Sequence, residues 1–321
     1  MEIFNHNSNI HFLGIRKFTV GLAVLLMVAS VALLGTRGLN YALDFTGGIS
    51  AEVAYDNPVS IEDVRTALDK GGIQNAVVQS MGGTRSVLIR FQTKDDTHYT
   101  QPAGPSLNLD LIASDVAKAL QAPRPDAKIA SRSYVSPQVG EQLRSDGVTA
   151  AIFVIIGIGV YLWIRFERRF AFAALATEVH DVLVTLGVIS LVQREFDLTV
   201  LASVLAVIGY SINDKVVVFD RIRELFRSSR KAEPEEVLNR SINSTLSRTI
   251  ITSLFTSIAM AALYFFGGPS VHGFAITMLI GILVGTLSSI FVASPILLWL
   301  GVSKKDLMPV TKENPELARR P

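Results

Sequence analysis

The chain has 321 residues, of which 49% are hydrophobic and 18% are charged, and its mean hydropathy is positive, at +0.39. These values favour an integral membrane protein over a soluble enzyme. The formal net charge of +2 is too small to indicate nucleic-acid binding, and the lack of cysteine excludes a disulfide framework, a thiolate metal site and a cysteine nucleophile.

Six apolar segments are each close to the roughly 20 residues that cross a bilayer. They are Phe18 to Leu34, Val148 to Ile164, Phe170 to Val192, Leu198 to Phe219, Ile250 to Phe266 and Phe274 to Leu300. The first has a longer apolar core than a signal peptide, so we expect an uncleaved span. The sequence therefore predicts a bundle of six transmembrane helices.

The lysines and arginines of the short loops lie on one side of the predicted membrane, except for Arg194 on the other side. They are Arg16, Lys17, Arg165, Arg168, Arg169, Arg221, Arg223, Arg227, Arg230, Lys231, Arg240, Arg248, Lys304 and Lys305. The positive-inside rule then makes both termini cytoplasmic. The resulting division is a cytoplasmic N-terminus (1–17), a first span (18–36), an outer domain (37–147), a five-span region (148–302) with a cytoplasmic loop (220–248), and a cytoplasmic tail (303–321).

The outer domain alternates strand and helix patterns. The predicted strands are Ile49 to Tyr55, Ala76 to Ser80, Arg85 to Gln92 and Ala127 to Val135, and the predicted helices are Ser60 to Lys70 and Leu109 to Gln121. The order β-α-β-β-α-β is typical of a ferredoxin-like α+β domain. The fold class is therefore an all-α membrane bundle with one inserted α+β domain.

A glycine-containing motif, Leu43-Asp44-Phe45-Thr46-Gly47-Gly48, follows the first span. Paired glycines permit backbone angles that other residues avoid, so Gly47 and Gly48 are interpreted as a tight turn into the first strand. We predict a structural role for this motif, Asp44 included.

The fourth span ends in the polar run Gly209-Tyr210-Ser211-Ile212-Asn213-Asp214-Lys215. A charged group at bilayer depth costs roughly 2.5–3.5 kcal/mol, so Asp214 needs a partner, a water path or a proton. Arg248 opens the fifth span from the same side, at a similar depth, so we predict an Asp214–Arg248 ion pair that a proton can break. The alternative is that Asp214 and Lys215 mark the interface, with Lys215 snorkelling to water.

A second polar cluster, Glu178, His180 and Asp181, lies near mid-depth in the third span. Glu178 and Asp181 share one helix face, and His180 is predicted to rotate away from it. One interpretation is a proton relay, since His and carboxylates titrate near neutral pH when close together. The other is polar packing against neighbouring spans or another subunit. A metal site is not expected, because one His with two acids is a weak ligand set.

No P-loop, nucleophile elbow or zinc motif appears in the sequence. We therefore expect no ATP-driven step, no enzyme activity, no cofactor and no metal. Energy must come from an ion gradient or from a partner protein.

Three motifs together resemble the SecF family of bacterial protein-export membrane subunits: the Asp44 to Gly48 motif, the run from Gly209 to Glu224, and Ser247-Arg248-Thr249. The resemblance covers essentially the whole chain. It implies membership of the resistance-nodulation-division superfamily and an obligate partner, SecD. The further partners that it implies are the SecY-SecE-SecG channel, YajC and the unfolded polypeptide that is being translocated. It also implies a location in the bacterial inner membrane, with residues 37–147 periplasmic and the basic loops near membrane lipid.

The resemblance also assigns roles to residues. Asp214, beside Asn213, matches the proton-carrying acid of the family, Arg248 its basic partner, and His180 with Asp181 a His-Asp pair. It implies that the proton motive force promotes late steps of export. A proton-coupled exporter of lipid or small molecules from the same superfamily is the alternative, and the sequence leaves open whether sodium replaces the proton.

Overall fold

The computed structural model describes residues 10–73, 76–81, 83–91, 109–228 and 233–303. Several predicted features lie outside these ranges: the first nine residues, Gln92 at the end of a predicted strand, Arg230 and Lys231 of the cytoplasmic loop, and the tail from Lys304 onward.

Helices and strands alternate only in the N-terminal half of the chain, and long helices dominate the rest. In chain order the described elements are a 3₁₀ turn (Phe12–Ile15), α1 (Arg16–Thr36), β1 (Asn40–Tyr41), α2 (Leu43–Thr46), β2 (Gly48–Ala54), α3 (Ile61–Lys70), β3 (Val77–Ser80), β4 (Ser86–Phe91), α4 (Leu109–Gln121), β5 (Lys128–Val135), α5 (Pro137–Arg165), α6 (Arg168–Val192), β6 (Glu195–Phe196), α7 (Leu198–Ser228), α8 (Pro234–Phe266), α9 (Pro269–Ser288), a π-helical turn (Ser289–Ala293) and α10 (Ser294–Trp299).

Six helices of the described part are long and apolar enough to cross a membrane, the last being α9 with its π-helical and α10 continuation. This confirms the six predicted spans, although several of the helices are longer than the spans predicted for them. α5 begins at Pro137, ahead of the predicted Val148, because Ser136 caps it by accepting the Val139 N–H at 3.3 Å and Pro137 suits the first helical position. α7 likewise continues past Phe219 to Ser228.

The outer domain has the predicted fold. Its sheet has the strand order β3-β4-β2-β5, and every neighbouring pair is antiparallel. β2 and β3 therefore run parallel on either side of β4, which is the split β-α-β arrangement of ferredoxin-like domains. Alternate strand residues such as Val53 and Ile89 pack against Leu68 of α3 and Val116 of α4 in one core.

An ion pair fixes the connection between α4 and β5. Two guanidinium nitrogens of Arg124 donate to the Asp126 carboxylate at 2.9 and 3.0 Å. These hydrogen bonds hold the pKa of Asp126 at about 2, below its ordinary value of 3.8. A carboxyl group whose pKa is lowered by folding stabilises the folded state fully when the pH is above its ordinary pKa. This stabilisation is lost only as the pH falls through the lowered pKa. The contact between Arg124 and Asp126 therefore persists into strongly acidic solution.

The glycine motif packs the outer domain onto the bundle. Gly47 has a φ of +68°, and a Cβ added there would lie 2.7 Å from the Pro137 Cα. Gly140 of α5 has equally little space for a side chain, since a Cβ added there would lie 2.8 Å from the Gly47 nitrogen. The backbone of the motif and the first turn of α5 are therefore in direct contact, as the predicted structural role requires.

Small residues bring the bundle helices together around α7, which packs against α6, α8 and α9. A Cβ added at Gly285 of α9 would lie 2.7 Å from the Ser211 hydroxyl, and one at Gly281 would meet Val207. α5 lies at the edge of the bundle, where Ile152, Phe153 and Ile156 are exposed. In lipid there is no hydrophobic driving force between helices, so they associate through close packing of this kind.

Near the C-terminal end of α7, ion pairs join this helix to the connection between α5 and α6. Arg165 contacts Asp220 at 2.8 Å, and Arg223 contacts Glu167 at 3.0 Å. Part of the basic stretch predicted to face lipid is thus engaged within the chain.

The crowding at Gly47 generates a prediction with an internal control. Gly38 has nearly the same φ, +66°, but open space around its added Cβ. Alanine at a left-handed position costs about 1–2 kcal/mol, and overpacking adds about 1–3 kcal/mol. We expect Gly47→Ala to lower the thermal midpoint of the purified chain well beyond the effect of Gly38→Ala, as followed by tryptophan fluorescence in detergent. Equal effects of the two variants would show that crowding against α5 is not what the glycine relieves.

Candidate functional site

Asp214 lies inside the bundle on α7, about 24 Å along the helix axis from Leu198 at 1.5 Å per residue. The residue is only 3% exposed, and its Oδ2 has no hydrogen-bond partner among the described residues. Ser253 of α8 lies beside the carboxylate. An ionised carboxylate is costly to bury with an unpaired oxygen, so this position suits an acid that gains and loses a proton.

The predicted ion pair between Asp214 and Arg248 is not formed in this structure. Arg248 is exposed, and the buried face of α8 carries Thr249 and Ser253 instead. The prediction compared only the depth of the two residues, whereas the direction of a helical side chain also depends on its angular position. The Arg248 side chain, one residue before the inward-facing Thr249, is exposed, although it lies near enough to Asp214 for a charge–charge interaction. Asn213 is exposed as well.

Lys215 is fully buried, so the snorkelling alternative is wrong. Its ammonium donates three hydrogen bonds, to Glu178 Oε2 at 2.6 Å, Asp181 Oδ2 at 2.8 Å and Ser211 Oγ at 2.8 Å. Three bonds are the full donor capacity of an ammonium group. The cation is thus held inside the bundle by two acids of α6.

Asp181 is the most heavily bonded acid of the bundle interior that the structure describes. Its Oδ2 accepts from Lys215, from Ser211 at 2.6 Å and from Ser288 at 2.7 Å, and its Oδ1 lies 2.9 Å from His180 Nδ1. The sequence predicts that His180 rotates away, but adjacent side chains on α6 bend towards each other. The predicted His180 and Asp181 pair is therefore in contact.

These side chains form one network, which we call the Lys215 cluster: Glu178, His180, Asp181, Ser211, Lys215 and Ser288. It joins α6, α7 and α9. Ser288 is the last residue before the π-helical turn of the sixth span, and such turns recur at functional sites because they shift the phase of a helix. Asp214 precedes Lys215 in sequence, so the cluster and the unpartnered acid are neighbours on one helix.

Asp44 of the glycine motif supports the start of α7. Its Oδ2 accepts the Leu198 backbone N–H at 3.0 Å. A carboxylate at this position satisfies a free amide and complements the helix dipole. The motif, through Asp44 and the turn at Gly47 and Gly48, thus contacts both the first turn of α5 and the helix that carries Asp214.

The sequence interpretation missed the role of Lys215 and did not connect it with Glu178, whose own role it left open. A signal for both was available. A lysine within a span needs an acid at the same depth on another span, and the third span is the one span with two acids near its middle. Ser211 and Ser288 had no such signal, since serines are common in packed membrane helices.

Comparisons with known families agree with these motifs. The family model "Protein export membrane protein SecD/SecF, C-terminal" matches residues 115–303, which include all the bundle residues described above. The model "SecD/SecF GG Motif" matches residues 32–59, which include Asp44, Gly47 and Gly48.

Curated relatives are similar over nearly their whole length. The protein translocase subunit SecF of Pseudomonas aeruginosa is 44% identical over 94% of this chain and 95% of its own. SecF of Vibrio alginolyticus is 41% identical over 100% of this chain and 99% of its own, and SecF of Escherichia coli O157:H7 is 38% identical over 96% and 93%.

A solved structure shows the same architecture. The crystal structure of SecDF, a translocon-associated membrane protein from Thermus thermophilus, superposes with a TM-score of 0.81 at 32% identity and covers 94% of this chain. This chain spans 40% of that longer protein. With family models over most of the bundle and relatives matched almost end to end, this chain belongs to the SecF family of SecD/SecF protein-export membrane proteins.

Proposed function

We propose that this chain is an accessory subunit of the bacterial Sec protein translocase which, together with SecD, uses the proton motive force to promote late steps of export. The observation that carries the coupling role is Asp214, a buried acid with an unpartnered oxygen in a helix able to span a membrane. Moving one charge through 100 mV is worth about 2.3 kcal/mol, which is enough to bias two packings of a helix bundle.

The coupling cycle has two states that differ at Asp214 and Arg248. With a proton on Asp214, the carboxyl is neutral and Arg248 keeps the exposed position that it has in this structure. After the proton leaves, the carboxylate attracts the guanidinium, and α8 turns to bring Arg248 inward. The side chains that this motion would move past on the buried face of α8, Thr249 and Ser253, are small.

An exposed stripe on α7 supports SecD as the partner. Ala202, Ala206, Gly209 and Asn213 recur at helical spacing and are all exposed. Small residues let a second helix approach closely, and the Asn213 amide needs a hydrogen-bond partner at bilayer depth. A SecD helix seated on this stripe satisfies both requirements.

The remaining assignments follow from the loop charges and the family. The positive-inside pattern supports an inner-membrane protein with cytoplasmic termini and a periplasmic position for residues 37–147. There the outer domain meets the unfolded polypeptide that leaves the SecY-SecE-SecG channel, with YajC nearby. The basic loops contact anionic lipid.

Removing the titrating group of Asp214 tests the coupling role. We expect Asp214→Asn to abolish the gradient-dependent part of preprotein export into membrane vesicles and to leave the ATP-driven part intact. Asp220→Asn is the matched control, because it removes a carboxylate from the cytoplasmic end of the same helix, where Asp220 pairs with Arg165. Unchanged gradient dependence in Asp214→Asn vesicles would refute the proton-carrier role.

Substitutions of Arg248 test the second half of the switch. Arg248→Lys keeps the positive charge but loses the planar guanidinium group, which can donate two parallel hydrogen bonds to a carboxylate. We therefore expect this variant to retain part of the gradient-dependent export of the unsubstituted chain. Arg248→Met removes the charge, and we expect it to match the loss in Asp214→Asn. Full activity of Arg248→Met in the same vesicle assay would remove Arg248 from the mechanism.

The α7 stripe makes a prediction about assembly. A side chain added at Gly209 meets nothing within 4 Å in this chain, and the same is true of Gly157 on α5. We expect Gly209→Leu to leave the chain folded but to prevent co-purification of SecD, because the leucine occupies the space of the partner helix. Gly157→Leu should retain SecD. Loss of SecD from neither variant, or from both, would contradict the assignment of this face.

A further inference from the structure

Glu178 has a free carboxyl oxygen inside the bundle. The residue is 3% exposed, its Oε2 contacts Lys215 at 2.6 Å, and its Oε1 has no hydrogen-bond partner in the part of the chain that the structure describes. Glu178 also lines a crevice of about 140 Å³ between α5, α6 and α7. The other lining residues are apolar and include Ile155, Ile158, Val182 and Ile208.

The charges of the Lys215 cluster do not balance when both acids are ionised. One ammonium, on Lys215, faces the two carboxyl groups of Glu178 and Asp181. A surplus charge in an apolar interior is strongly unfavourable, and a bound proton relieves it.

His180 does not supply the missing positive charge. Its Nδ1 contacts Asp181, but its Nε2 is buried and has no partner in the described residues. An imidazolium would leave a charged N–H unsatisfied there, which costs more than an unsatisfied neutral acceptor. A neutral ring that donates from Nδ1 to Asp181 fits the geometry.

The proton belongs on Glu178 rather than on Asp181. Asp181 accepts hydrogen bonds at both oxygens, which favours its ionised form, whereas Glu178 has a single bond and a free oxygen. The remaining charged neighbour is Asp214, beside Lys215 on α7. The crevice residues of α5 are isoleucines, and α9 contributes the Ser288 hydroxyl.

We propose that Glu178 is a second proton-binding site of the bundle, with its proton on Oε1 and with Lys215 as the cation that keeps Asp181 ionised. The proposal deepens the proton coupling proposed above, since Lys215 adjoins Asp214. Its test measures protonation rather than export, so the two proposals can fail separately.

Infrared difference spectroscopy tests the proposal directly. The full chain in lipid vesicles is titrated from acidic to alkaline pH, and the C=O stretching band of protonated carboxylic acids is recorded. We expect one component of this band to be lost in Glu178→Gln, to be retained in Glu178→Asp, and to be still present in Asp214→Asn. In Lys215→Met we expect a larger band, because Asp181 loses its cation and also takes a proton.

Carbodiimide labelling identifies the acid without any substitution. A hydrophobic carbodiimide adds to a protonated carboxyl: the carboxyl oxygen bonds to its central carbon, and the carboxyl proton moves to one of its nitrogens. The acyl group then transfers from this oxygen to the other nitrogen of the reagent and leaves a stable N-acylurea that keeps every atom of the reagent. Mass spectrometry should find this adduct on Glu178, with a yield that falls as the pH rises, and none on Asp181.

The two measurements together decide the matter. A band lost in Glu178→Gln, or a pH-dependent adduct on Glu178 of the unsubstituted chain, supports the second site. Identical acid bands in the unsubstituted chain and in a folded Glu178→Gln would overturn it, as would an adduct on Asp181 instead of Glu178. If Glu178→Gln fails to fold, the labelling of the unsubstituted chain decides, and the absence of an adduct on Glu178 at acidic pH overturns the proposal.

Discussion

The bundle depends on the burial of the Lys215 ammonium among acids and hydroxyls from three helices. An ammonium fully removed from water and lipid requires acceptors at one point, and the three that Lys215 contacts, two on α6 and one on α7 itself, lie within 2.6 to 2.8 Å. Ser288 of α9 completes the arrangement through Asp181. Removing one partner of a buried pair costs about 3–5 kcal/mol, so this contact fixes the register of the helices. Asp214, one residue earlier, is thereby held in the interior without a full set of partners.

The rest of the molecule holds α7 in place for this contact. Asp44 caps its first turn from the outer side, and Gly47 lets the same motif lie directly on α5. Glycines of α9 bring that helix against Val207 and Ser211. At the other end, ion pairs of Asp220 and Arg223 tie α7 to the α5–α6 connection. The outer domain is therefore connected through these contacts to the helix that carries Asp214.

The sequence predicts most of the fold because periodicity and length carry that information. The helix Leu109 to Gln121 and the strand bounds of the outer domain agree with the structure to within about one residue, and all six spans are found. The site is harder to predict. Depth along a helix follows from residue counting, but whether Arg248 faces inward depends on the rotation of α8, which is set by packing with neighbours. The burial of Lys215 likewise requires knowing that Glu178 faces α7.

The role of Asp214 as the proton carrier of this bundle is open to a direct measurement. Proton flux is followed into vesicles that contain the purified chain assembled with SecD, driven by an imposed membrane potential. We expect measurable flux with the unsubstituted chain and with Asp220→Asn, and none with Asp214→Asn. Equal flux in all three preparations would contradict the role of Asp214.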